Sequence, residues 1–113
     1  MIKHLAWVPS RWLAMALVCF AGLEAFALGP HEVLLLVNAR SSRSLEAANH
    51  YAEERRIPAQ NIVRLDLPDE TLAPAAEMSP ADFTRLIWTP ALSAMKERGL
   101  DKQITAWIYS LDF

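Results

Sequence analysis

The 113-residue sequence is short of several residue types, and each shortage excludes a class of protein. It has one cysteine, Cys19, so an internal disulfide framework cannot form. Its three glycines are too scattered for a glycine-rich nucleotide loop. Eleven Lys and Arg residues against thirteen Asp and Glu give a net charge of -2, so no nucleic-acid partner is expected. The 21% of charged residues is typical of a folded domain.

Long hydrophobic runs are also missing. The longest apolar run covers residues 12–23, which is shorter than the roughly 20 residues that a membrane-spanning helix needs. The preceding residues include Lys3, His4 and Arg11 and no acid. Residues 25–27 then supply a small-x-small Ala-Phe-Ala sequence. This combination is typical of a secretory signal peptide with its cleavage site.

We therefore predict a signal peptide over residues 1–27 and a mature chain over residues 28–113. Cleavage removes Cys19, so the mature chain has no thiol nucleophile, and it leaves no stable membrane anchor. The mature chain is expected in the bacterial periplasm or outside the cell. The alternative is an uncleaved anchor helix that extends through Glu24.

Three short segments of the mature chain have the pattern of β-strands. Residues 33–37 (VLLLV) form a continuous apolar run, which predicts a strand buried on both faces, as in a parallel sheet. In residues 61–67, Arg64 and Asp66 alternate with apolar residues, which predicts a strand nearer the edge of the sheet. Residues 104–111 are the third predicted strand.

Two helical patterns separate these strands. Ser41 or Ser42 can cap a helix over residues 44–56. A second helix is predicted over residues 79–98, where a Ser-Pro pair begins it and a glycine follows its end. Pro90 lies inside this helix and predicts a kink two to four residues earlier, because proline removes a backbone donor.

The βαβαβ order predicts an α/β fold, a three-layer fragment with a mostly parallel sheet. Three strands and two helices cover such a sheet poorly, and the sequence stops directly after an apolar strand. We therefore expect residues 28–113 to be the N-terminal part of an α/β domain, and the missing C-terminal part of that domain to be its packing partner. The alternative is a complete small domain.

Candidate site residues follow the predicted strands, because ligands of open α/β sheets bind beyond the carboxyl ends of the strands. The candidates are Asn38, Arg40, Ser41, Ser42 and Arg43 after the first strand, and Asp112 after the third. The first group places two arginines and two hydroxyls at a helix N-terminus, which favours an anionic ligand. The alternatives are that a serine only caps the helix, that the arginines are solvated, and that Asp112 is only a turn residue.

The sequence indicates no catalytic set. His31 and His50 have no Cys, Asp or Glu at ligand spacing, so no metal and no cofactor are expected. No Ser-His-Asp set and no pair of carboxylates at a defined spacing is present, which leaves the catalytic residues unknown.

Four segments resemble an uncharacterised family of secreted bacterial proteins. They are residues 33–38 (VLLLVN), 52–62 (AEERRIPAQNI), 64–68 (RLDLP) and 87–92 (IWTPAL). The resemblance implies export and an α/β fold, in proteins that continue beyond position 113. It implies no established activity, so the expected function is that of an exported α/β protein of unknown biochemical role, with a non-catalytic anion-binding module as one alternative.

A second resemblance implies another alternative. Residues 56–58 (RIP) before residues 61–63 (NIV) look like the opening of legumain-type, caspase-like cysteine peptidases. In that fold the catalytic His follows the third strand and the catalytic Cys follows the fourth. Both would therefore lie beyond Phe113, and no catalytic residue carries over to this sequence.

The export prediction can be tested on the processed chain. After expression in a bacterial export host, N-terminal sequencing should give Leu28 as the first residue. Ala27→Leu should block processing, because signal peptidase accepts a small residue at that position. Ala21→Leu, which keeps the apolar run, is the control and should be processed normally. An unprocessed, membrane-attached wild-type chain would instead establish the anchor helix.

Overall fold

The computed structural model describes residues 27–73 and 76–113 of the chain. The predicted signal peptide, apart from Ala27, and the alternative anchor helix lie outside the described residues. Helices and a three-stranded, fully parallel sheet form the described part, which confirms the predicted α/β fold. None of the helices in these two ranges is long and apolar enough to cross a membrane.

The sheet has the order β2-β1-β3, with β1 at Val33–Asn38, β2 at Ile62–Leu65 and β3 at Ala106–Tyr109. Leu35 of the central strand lies opposite Ile62 on one side and Ile108 on the other. All six residues of β1 are buried, as the continuous apolar run predicts. The edge position predicted for the second strand is also confirmed.

Helix α1 (Ser42–Arg55) follows β1 and leads into β2. Ser41 caps its N-terminus, because the Ser41 Oγ accepts a hydrogen bond from the Ser44 N–H at 3.0 Å. It ends because Arg56 adopts a left-handed conformation with φ 56°, the geometry that glycine usually supplies after a helix. Ile57 and Pro58 follow this turn, and a residue before proline avoids the α-helical conformation, so the helix does not resume.

The second crossover consists of α2 (Pro80–Phe83), a π-helical turn (Thr84–Trp88) and α3 (Thr89–Glu97). The Thr89 N–H donates to the Thr84 carbonyl, five residues earlier. Pro90 has no N–H to continue the regular ladder, so the predicted kink takes the form of this wider turn. Gly99 follows the helix with φ 67°, as expected for its position after the helix end.

Helices cover both faces of the sheet. Helix α1 packs over Val33, Leu35 and Val37 on one face. The second crossover packs over the alternate β1 residues Leu34 and Leu36 on the other face, together with buried residues of β2. The molecule is therefore three layers thick, and β1 is enclosed between them.

The two edges of the sheet differ. At the β2 edge, Arg98 Nη1 donates to the carbonyls of Gln60 at 2.9 Å and Ile62 at 2.8 Å. At the β3 edge, no described side chain donates to a backbone carbonyl of the strand. Among the residues that the structure describes, most of the exposed large hydrophobic side chains lie in β3, after it or against it. These are Trp88, Tyr109, Leu111 and Phe113.

Candidate functional site

The structure brings the ends of β1 and β3 together through Asn38. This residue is fully buried at the end of β1. Its Nδ2 donates to the Asp112 carbonyl at 2.9 Å, and its Oδ1 accepts from the Arg40 N–H at 3.1 Å. A single amide therefore joins the loop after β1 to the segment after β3.

Ser41 and Asp112 make the second link between these segments. The Ser41 hydroxyl donates to Oδ2 of Asp112 while the same oxygen caps helix α1. Oδ1 of Asp112 lies 3.8 Å from Nη1 of Arg43. Asp112 has φ 62°, a left-handed conformation in which aspartate and asparagine are enriched. It is thus a turn residue, as one alternative states, and its carboxylate also has specific partners.

Ser44 completes the group, and sequence reasoning missed it. It is fully buried, and its Oγ accepts from the Asn38 N–H at 3.0 Å. Its carbonyl accepts from the Ser110 hydroxyl at 2.6 Å. The available signal was its spacing, because Ser44 shares the buried face of α1 with Ala48 and Ala52. We refer to Asn38, Ser41, Ser44 and Asp112 as the carboxyl-edge cluster.

Arg40 pairs with the segment after β2. Its Nε lies 2.6 Å from Oδ1 of Asp66, and its Nη1 lies 3.3 Å from Oδ1 of Asp69. The hydrogen bond from Arg40 holds the pKa of Asp66 below its ordinary value, and the same contact raises the pKa of Arg40. Ser42, by contrast, is exposed at the start of α1 and adds nothing to these contacts.

These contacts bear on the predicted anionic ligand, which stays a prediction. Both arginines already face carboxylates of the chain itself, Arg40 with two aspartates and Arg43 with Asp112. The Asp112 carboxylate also accepts a hydrogen bond from the Ser41 hydroxyl at the N-terminus of α1, which is the place where an external anion would bind. An added anion would have to displace that carboxylate, so the geometry favours the structural alternative for this group.

A crevice of about 290 Å³ lies beside the cluster at the same edge of the sheet. Phe113, which directly follows Asp112, forms one wall and meets the Tyr109 ring edge-on at 5.3 Å between centroids. The crevice lies between the end of β2, the start of the second crossover and this phenylalanine. It is lined by Pro68, Glu70, Ala76, Glu77, Met78, Asp82, Arg85, Leu86 and Phe113. We refer to it as the carboxyl-edge crevice.

The described residues contain no group of three His, Cys, Asp or Glu side chains placed to hold a metal ion. Comparisons of the chain with protein-family models, with curated proteins and with solved structures found no match. The resemblances to secreted bacterial proteins and to legumain-type peptidases therefore stay predictions.

Asn38→Ala should lower the free energy of unfolding by about 1–3 kcal/mol, because it removes the partner of the Arg40 N–H and of the Asp112 carbonyl at a fully buried position. Asn49→Ala, on the exposed side of α1, is the matched control and should change it by less than about 0.5 kcal/mol. Urea denaturation of both variants measures the difference. Equal stabilities would show that the Asn38 amide does not hold the two strand ends.

Arg40→Gln should raise the pKa of Asp66 toward its ordinary value, because the hydrogen bond from the Arg40 guanidinium lowers the pKa of Asp66 in the native protein. A lowered folded-state pKa stabilises the protein above the unfolded value of about 3.9, and this contribution is lost as the pH falls through the folded value. The stability difference between wild type and variant should therefore shrink as the pH falls below 4.

NMR titration of the Asp66 carboxyl carbon measures this shift. Lys96→Gln removes the same charge from an exposed site on α3 and is the control. An unchanged Asp66 titration in Arg40→Gln would contradict the contact.

Proposed function

We propose that this chain is an exported α/β domain that binds a small ligand at the carboxyl edge of its parallel sheet. The carboxyl-edge crevice carries this proposal. Phe113 forms an apolar wall of this crevice. The residue before it, Asp112, is hydrogen-bonded to the buried residues Asn38 and Ser41, and these bonds set the position of the wall.

The order of the strands supports this location. In doubly wound sheets with this strand order, β2 and β3 lie on opposite sides of β1. Ligands of such sheets bind beyond the carboxyl ends of the strands, at the point where the chain connections leave to these two sides. Here the segments after β1 and β3 meet at that point through the carboxyl-edge cluster. Hydrogen-bonded supports of this kind reduce the entropy lost when a ligand orders its site.

Export is supported by the sequence pattern of residues 1–27 and by the absence of cysteine from residues 28–113. We place the mature chain in the periplasm or the extracellular space on that basis. A ligand of this domain is then a molecule met outside the cytoplasm.

We also propose that further strands of the same domain pair with β3. The carbonyls of Gln60 and Ile62 at the β2 edge are covered by Arg98, whereas the β3 edge is open among the described residues and carries exposed Tyr109 and Leu111. Unprotected edges of this kind are avoided in isolated sheets. The fold by itself does not assign a peptidase activity, because α/β sheets of this type support many chemistries.

The ligand site can be mapped by NMR on the ¹⁵N-labelled mature protein. A mixture of cationic, neutral and anionic aromatic fragments should shift the amide signals of Asp69, Met78 and Leu86, which lie on or next to the crevice. The amides of Gln60 and Gln103, which lie near the amino ends of the strands, are the internal control. Shifts confined to those controls would contradict the proposed site.

A further inference from the structure

The charges around the carboxyl-edge crevice point to one class of ligand. Arg85 is the only cationic side chain among the described lining residues, and its Nη2 lies 3.0 Å from Oδ1 of Asp82. Glu70 and Glu77 also line the crevice, and neither has an ion pair with a described residue. The uncompensated charge at the rim is therefore negative.

The walls of the same crevice are apolar. Met78 and Leu86 pack against the core of the second crossover, and Phe113 contributes a partly exposed ring. An aromatic ring attracts a cation placed over its face and also packs against apolar surface. The volume of about 290 Å³ is near the lower end of the roughly 300–1,000 Å³ typical of ligand pockets, so the ligand is small.

Hydrogen-bond donors near the crevice do not favour an anionic ligand there. Helix α2 begins beside the crevice, but Ser79 Oγ already accepts the Asp82 N–H at 3.1 Å, and Pro80 at its first position has no N–H. The guanidinium of Arg40, on the neighbouring loop, already forms ion pairs with Asp66 and Asp69. An anion in the crevice would therefore meet the carboxylates of Glu70 and Glu77, while the Asp82 N–H and the Arg40 guanidinium are already bonded within the chain.

We propose that the carboxyl-edge crevice binds a cationic group, a primary amine or an amidinium, carried on a small apolar body. This inference rests on the proposed ligand site and assigns its ligand class. The apolar body packs against Leu86 and Phe113, and the cationic head lies between the carboxylates of Glu70 and Glu77.

The test compares three ligands of one shape, benzamidine, benzamide and benzoate, which are cationic, neutral and anionic. Each is titrated into the mature protein and followed by the amide shifts of Met78 and Leu86. We expect benzamidine to bind at least 3-fold more tightly than benzamide, and benzoate to bind most weakly. Raising the ionic strength should weaken benzamidine binding and leave benzamide binding unchanged.

Charge-neutralising variants identify the carboxylates. Glu70→Gln and Glu77→Gln should each weaken benzamidine binding roughly 2- to 5-fold, the usual range for exposed ion pairs, and should leave benzamide binding unchanged. Glu54→Gln, an exposed glutamate on α1 at the opposite face of the sheet, is the matched control and should have no effect.

The outcomes separate this inference from the proposed site. Binding of benzamide or benzoate at the crevice with an affinity equal to that of benzamidine would overturn the cation preference and leave the ligand site standing. Benzamidine binding that is unaffected by either glutamate variant would also overturn the preference. Absence of binding by all three ligands, together with no crevice shifts in the fragment mixture, would overturn both proposals.

Discussion

The buried side chain of Asn38 imposes the constraint on which the carboxyl edge depends. An amide inside the protein costs about 1–3 kcal/mol when its partners are missing, so the fold must bring a donor and an acceptor to the end of β1. The Arg40 N–H comes from the adjacent loop and the Asp112 carbonyl from the segment after β3. Both segments are thereby held in one arrangement, and Asp112 takes a left-handed turn within it.

The charges at this edge follow from that arrangement. The arginines after β1 contact aspartates that lie after β2 and β3, so the positive charges join the loops to each other. The carboxylates that are left without such partners line the neighbouring crevice. A local sequence that suggests anion binding thus forms a structural link, and the adjoining cavity has the opposite electrostatic preference.

Features that depend on neighbouring residues could be predicted from the sequence. The apolar run of β1, the Ser41 cap and the disturbance caused by Pro90 all act within a few residues, and each is present in the structure. The contacts of Asn38 with Asp112 and of Arg40 with Asp66 could not be predicted, because these partners lie 74 and 26 residues away along the chain. The role of Ser44 was also missed, since its hydroxyl is bonded to the backbone across the junction with β1.

Asn61 gives the amino end of β1 a similar constraint. It is fully buried, and its Nδ2 donates to the carbonyls of His31 and Val33 at 3.0 Å each. The central strand is therefore held at both ends by asparagine side chains, and its β2 neighbour is further covered by Arg98. The β3 side lacks such a cover among the described residues, and the segment after β3 is joined to the central strand through the hydrogen bond from Asn38 to the Asp112 carbonyl. A ligand that packs against Phe113 would therefore meet a ring whose neighbour in the chain, Asp112, is held by Asn38 and Ser41.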